Sequence, residues 1–244
     1  METPGKPALP KVVKLLWDLD DAGSRGPKRG LSVDQIVAAA TAVADAEGFA
    51  ALSMGRVAKE LGFTTMSLYR YVDSKDTLME LLFDRSLGDP PDLSDAPGWR
   101  AKLEAWAWAE FRGIQQHYWW LDLPLSSPPL GPKNMAWLEA GMTAMAEVPI
   151  TEPHKLQLVT NLSIYVVGRT RFLRDTAKQQ QQDVDYAGIL AQVIDPARFP
   201  TVTSAIMNNA FEDDDMNWEE ADFGFALARL LDGYQVFIDA HTTG

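Results

Sequence analysis

The chain has 244 residues, 46% of them hydrophobic, and no cysteine, which allows one large or two small domains and excludes a disulfide framework and a thiolate metal site. Its net charge of −12 opposes nucleic acid only in total: residues 1–88 hold 11 Lys/Arg against 12 Asp/Glu, and residues 89–244 hold 11 against 22. A nearly neutral first part thus precedes an acidic second one, and local placement of Lys and Arg, which governs phosphate contact, leaves DNA binding open.

Residues 1–30 are punctuated by Pro and Gly and interspersed with Lys11, Lys14, Arg25, Lys28 and Arg29. They read as a basic arm with a short helix over Val12–Leu19, and Lys28 and Arg29, next to the first main helix, are placed on the DNA backbone. Lys14 and Asp18 interrupt the apolar run near the start, so no signal peptide is expected. No segment approaches the ~20 apolar residues of a membrane span, and a cytoplasmic protein without a membrane partner is expected.

Ser32 and Gln35 form a capping box, with Leu31 stapled onto Ile36, so a helix opens at Ser32. Ile36, Ala40, Val43 and Ala44 face inward and Gly48 closes it. Ser53 caps a second helix, with Val57 and Leu61 inward, which Gly62 ends. A third helix is expected over Thr65–Val72, anchored by Leu68 and Val72, and Ser74 caps a fourth with Leu78, Leu81 and Leu82 as its buried stripe. Two short helices split by a glycine and a three-residue turn have the layout of a helix-turn-helix. The second helix of such a pair enters a major groove with its N-terminal end toward the bases.

The breaker-rich run GDPPDLSDAPG at 88–98 marks a boundary, giving an arm (1–30), a helix-turn-helix domain with linker helix (31–88) and a larger acidic domain (89–244). Beyond it, helices are expected over Trp99–Tyr118, over Asn134–Glu147 behind a proline-laden loop, and over Leu156–Phe172 opened by Pro153. Shorter ones follow at Tyr186–Ile194 and Phe199–Phe211, then a long one at Trp218–Ala240; the glutamines at 179–182 read as a loop or helix end. Strand-like alternation and repeats are absent from the pattern. The fold class expected is all-α: an N-terminal three-helix helix-turn-helix domain plus a larger C-terminal helical domain.

The run LSMGRVAKELGFTTMSLYRYVDSKDTLMELL, with its turn glycine, Leu68-Tyr69 and Lys75, resembles the DNA-binding domain of the TetR family of bacterial one-component regulators. Phe223–Tyr234 (FGFALARLLDGY) resembles the last dimerisation helix of the tetracycline-repressor-like branch, and Gly131-Pro132-Lys133-Asn134 with Trp137-Leu138-Glu139 fits that branch too. The resemblance implies that 31–88 is the DNA-binding domain with its linker helix, that 89–244 is a ligand-binding and dimerisation domain, and that a homodimer forms through helices near 153–175 and 218–241. It implies binding to a palindromic operator in double-stranded DNA, released by a small apolar or aromatic effector. By position it puts Thr65, Met66 and Ser67 on bases and Tyr69 and Lys75 on phosphates. The side chains agree: Thr and Ser bond to several base edges, while a Tyr hydroxyl and a helix-start Lys each suit a phosphate oxygen. Ser53, Arg56, Thr64 and Tyr71 complete the expected DNA face. Many members carry a basic residue near the start of the second helix where this chain has Gly55.

Seven of the eight tryptophans lie beyond residue 98. Each singly suits a solid core; together they also suit an apolar cavity for an aromatic ligand. Trp106, His117 and Trp137 are expected to line it, with Asn161, Tyr165 and Arg169 on one helical face as polar fixers. For those three an interhelical hydrogen bond, or for Arg169 a dimer-interface ion pair, is the alternative. The three histidines are far apart and no ligand-spacing motif joins them, so no metal or cofactor is expected. No nucleophile motif, phosphate loop or carboxylate pair stands out, so no catalytic residue is assigned. The reading is a ligand-responsive transcriptional repressor; a constitutive or architectural DNA-binding protein and a helical enzyme stay open.

Overall fold

A computed structural model of the chain describes residues 9–19, 30–123, 129–180, 186–208, 210 and 218–242. Lys28 and Arg29 lie outside the described residues, as does the acidic run at 212–215. By their contacts the residues fall into two compact units, one up to Ile164 and one from Tyr165 onward.

The first unit opens with α1, Lys11–Leu16, which stops short of the expected Leu19 because the chain turns at Asp18 (φ 49°). Leu16 is buried, Lys11 pairs with Asp73 at 3.5 Å, and Trp17 donates its indole N–H to the Leu130 carbonyl at 2.8 Å. Helix α2, Val33–Glu47, starts on the expected capping box: Ser32 Oγ accepts from the Gln35 N–H, and the Gln35 side chain accepts from the Ser32 N–H at 2.9 Å. A 3-10 turn at Phe49–Ala51 leads into α3, Met54–Leu61. Gly62 ends α3 in the left-handed region (φ 71°, ψ 24°), where a Cβ costs roughly 1–2 kcal/mol.

Helix α4 spans Thr65–Tyr69 rather than the expected Thr65–Val72. The Leu68 carbonyl accepts from both Tyr71 and Val72 N–H at 2.9 Å, a tight closing turn that drives Val72 back into the core beside Leu68, both fully buried. Helix α5, Lys75–Arg85, follows on its Ser74 cap. Its Leu78, Leu81 and Leu82 are fully buried, each contributing about 1.5–3 kcal/mol of apolar burial. Arg85 pairs with Asp34, tying α5 to α2.

Still in the first unit, α6 (Gly98–Gln116) runs into a 3-10 turn at Tyr118–Asp122, and α7 (Pro132–Ala144) begins with its proline at the first turn, where the missing N–H costs nothing. Helix α8, Glu152–Gln180, is longer than the apolar stretch Leu156–Phe172 suggested and runs into the glutamines. Its first half belongs to the first unit and its second half to the second. The second unit adds α9 (Tyr186–Val193), α10 (Pro200–Met207) and α11 (Trp218–Thr242). In α10 the fold starts on Pro200 and stops before the expected Phe211, with the Asn208 N–H closing the last turn. Phe223, Leu227, Leu231, Tyr234 and Ile238 form the buried stripe of α11. On the far side of that helix Phe225 and Val236 are exposed, as is Phe172 on α8.

Candidate nucleic-acid interface and effector region

Helices α3, α4 and α5 are each started by a hydroxyl. Ser53 Oγ accepts from the Arg56 N–H at 3.2 Å, Thr64 Oγ1 from the Ser67 N–H at 3.3 Å, and Ser74 Oγ from the Thr77 N–H at 2.9 Å. Such caps are each worth about 1 kcal/mol. The Thr64 and Ser67 hydroxyls also share a hydrogen bond at 2.9 Å, so both of these expected DNA contacts already have a local partner. Leu68 and Val72 root α4 in the core, while its outer face carries Met66, 74% exposed, and Tyr69, 41% exposed. Thr65, Ser67 and Tyr71 are half-buried, and Ser53, Arg70 and Lys75 exposed. A Cβ on Gly55 would meet only Thr65 Oγ1, at 3.9 Å, so this glycine leaves the start of α4 uncovered.

Arg56 is employed differently from the expectation. Its guanidinium holds Glu47 at 2.6 Å and Glu60 at 2.9 Å, and the bond to Arg56 holds the Glu47 carboxyl below the usual carboxylate range. Glu47 thereby ties α3 to α2, and Glu60, one turn along α3 itself, holds the guanidinium in place. Lys75 stands at the exposed start of α5, where a cation opposes the helix dipole; its Nζ lies 5.8 Å from the centre of the Phe49 ring.

Behind this surface, the tryptophans act as hydrogen-bonded posts. Trp106 on α6 donates to the Trp137 carbonyl at 3.0 Å, and Trp137 on α7 donates to the Gly88 carbonyl at 3.1 Å. Their rings meet edge-on at 5.6 Å and both are buried. Trp120 stacks on Phe83 at 4.6 Å and donates to its carbonyl. Asp45 of α2 accepts from the Trp119 indole at 2.5 Å and lies 2.7 Å from His117 Nδ1. Asp84 of α5, 2% exposed, receives the start of α7: its carboxylate accepts from the Lys133 N–H, the Asn134 N–H and the Asn134 side-chain amide. A Cβ on Gly131 would fall 2.0 Å from Asp84 Oδ1, so only glycine admits this approach.

Of the six expected effector residues, Trp106 and Trp137 come together and His117 is held by Asp45. Asn161 is exposed. Within the second unit, the Tyr165 hydroxyl donates to the Phe223 carbonyl at 2.9 Å, and Arg169 pairs with Asp222. Burial pushes the Tyr165 hydroxyl above its ordinary pKa. A groove of about 300 Å³ is lined by Pro91, Asp92, Leu93, Ser94, Lys102, Ala140, Thr143 and Ala144, and none of the six lines it.

Asp84 and Glu110 were missed among the sequence-level candidates, although each sits in register with a buried stripe. Glu110 shares its face of α6 with Leu103, Trp106, Ala107 and Ile114. Its Oε1 accepts from the Ser163 hydroxyl at 2.7 Å, while Oε2 is buried with no partner among the described residues. Burial raises its pKa to about 8, and the Ser163 bond only partly offsets that.

Comparison with known proteins decides the family. Residues 36–82 match the model for bacterial regulatory proteins of the tetR family, and residues 91–238 match the tetracyclin repressor-like C-terminal domain. The chain belongs to the TetR family. It is 37% identical to the HTH-type transcriptional repressor DrrR1 of Streptomyces coeruleorubidus, over 97% of this chain and 89% of that one. Apo ActR from Streptomyces coelicolor superposes with a TM-score of 0.74 at 23% identity, covering 87% of this chain and 98% of that one. ActR in complex with (S)-DNPA gives 0.65 at 26% identity, covering 83% and 98%. As a TetR-family member the regulator binds operator DNA through its helix-turn-helix and works as a homodimer. No helix among the described residues is long and apolar enough to cross a membrane.

Proposed function

We propose that the regulator is a cytoplasmic repressor whose residues 31–88 hold an operator until a small aromatic effector, bound within 89–244, releases it. The observation that carries this reading is the first turn of α4: a short, cap-fixed helix whose apolar side is fully buried and whose Met66 and Tyr69 project outward. Thr65, Met66 and Ser67 read bases, and Tyr69 and Lys75 hold phosphates. Arg56 leaves the contact set, because Glu47 and Glu60 occupy it.

A two-fold dimer sets its two reading helices on the order of 34–36 Å apart, one turn of DNA, and so selects a palindrome. The exposed Phe172, Phe225 and Val236 supply apolar surface for the partner copy. An effector acts only through its different affinity for the DNA-bound and released conformers, so effector and operator weaken each other equally. The route runs through the posts around α5, where Asp84, the Phe83 carbonyl and the Gly88 carbonyl are each bonded to a residue beyond position 119. Ligand binding by the ActR fold relative supports the effector part of the reading.

Selection of bound duplexes from a random DNA pool tests it. A palindrome with half-sites about 10 base pairs apart is the expected product. Enrichment without sequence preference would replace the repressor with an architectural protein.

A further inference from the structure

The described residues hold a carboxyl group that the DNA-binding function does not use. Glu110 is 4% exposed, yet its Oε2 meets no donor among the described residues. A buried acceptor without a donor is costly, and native folds keep few of them without a use. The repair would be simple, since an apolar residue here would extend the stripe of Leu103, Trp106, Ala107 and Ile114 on the same face.

The surroundings say what the group could receive. One turn before Glu110 on α6 is Trp106, and one turn before Ser163 on α8 is Val159. Gly141 of α7 packs between these two: a Cβ there would lie 2.6 Å from Val159 Cγ1 and 3.6 Å from Trp106 Cε2. The next layer along the same two helices is the Glu110–Ser163 pair, closed at 2.7 Å. Tightly packed aromatic and aliphatic side chains thus lie one turn from a carboxyl whose Oε2 has no donor among the described residues. Ser163 is half-buried, so the pair lies one side chain below the surface. Residues 89–244, with twice as many acidic as basic side chains, add a field that draws cations.

We propose that Glu110, oriented by Ser163, is the polar anchor of the effector site, and that the effector it takes is an aromatic molecule bearing a protonated amine. As the ligand binds, Glu110 releases to solvent the proton that burial keeps on it, the ammonium N–H donates to the freed Oε2, and the paired charges are stronger in this dry setting than a neutral hydrogen bond would be. The aromatic body lies along the Trp106 side. This assignment rests on the effector reading above and names the chemical class of the ligand.

The full-length dimer is tested with three matched anthraquinones carrying an aminoethyl, a hydroxyethyl or a sulfonatoethyl tail. Quenching of tryptophan fluorescence reports binding, and release of the selected duplex reports response. The unaltered protein is expected to bind the amine about tenfold or more tightly than the alcohol, with the sulfonate weakest. In Glu110→Gln the amine's advantage should fall below about twofold. Equal binding of amine and alcohol by the unaltered protein, or an advantage that survives Glu110→Gln, overturns the anchor and leaves the effector reading intact. Binding of none of the three overturns the anchor and the aromatic-effector reading together.

Discussion

The helix-turn-helix and the helical region behind it satisfy their polar groups in opposite ways. In the first, the helix-start hydroxyls find their partners three residues on, Ser32 with Gln35, Ser53 with Arg56, Thr64 with Ser67 and Ser74 with Thr77, beside the longer ties of Arg56 to Glu47 and Arg85 to Asp34. In the second the tryptophan indoles reach acceptors 31 to 74 residues away, as with Trp106 on the Trp137 carbonyl and Trp119 on Asp45. The reading surface is therefore assembled locally and can be altered one helix at a time. The rear region is cross-braced, and a change at one brace is felt at the helix on its other end. That contrast suits the proposed regulation, in which the groove-facing turn keeps its shape while the bracing around α5 carries a shift from one region to the other.

The severest way to test the contrast is Gly131→Ala. Its Cβ would collide with the Asp84 carboxyl, displacing the acceptor for three donors at the start of α7. A loss of about 3 kcal/mol or more is expected, read as a lower midpoint in urea. Because the brace is distant, operator affinity should fall as well, although no DNA contact is touched. An unchanged midpoint would show that Asp84 finds other partners easily.

Next in size is the pH response set by Glu110. Its folded pKa of about 8 lies above the ordinary carboxyl value of 4.5. Below about 4.5 both states hold the proton, so the group has no effect. Between about 4.5 and 8 the unfolded chain releases the proton and the folded chain keeps it, so stability falls as pH rises by on the order of 3 kcal/mol. Glu110→Gln should remove this slope, measured as the difference in urea midpoint between pH 5 and pH 8. A slope that persists in the variant would locate the titration elsewhere.

On the locally assembled side, Thr64→Ala removes the α4 cap and should cost about 1 kcal/mol, with no effect on the tryptophan fluorescence of the rear region. The smallest change is Lys75→Ala. Stability should hold within about 0.5 kcal/mol, while the salt dependence of operator binding should lose about one phosphate contact. A slope unchanged by the substitution removes Lys75 from the phosphate contacts.

The two regions also differ in how legible they were. The caps, the inward stripe of α2 and the turn at Gly62 follow from residues within four positions of one another, so periodicity and helix-start chemistry sufficed. Helix α4 came out shorter than its pattern because burying both Leu68 and Val72 required a tight turn on the Leu68 carbonyl, a demand of packing. Arg56 lay in plain view, but its occupation depended on Glu47, nine residues back on another helix.

What the sequence alone determined is the all-α class, the order of its helices and the reading turn, because short-range hydrogen bonds and 3.6-residue periodicity are properties of adjacent residues. Only the tertiary structure decided that Trp106 and Trp137 are posts, that Gly131 makes room for Asp84, and that Glu110 ends buried with a free acceptor. Those outcomes depend on which helices meet, and a carboxylate in a chain shows nothing of the dielectric it will face until burial removes the water.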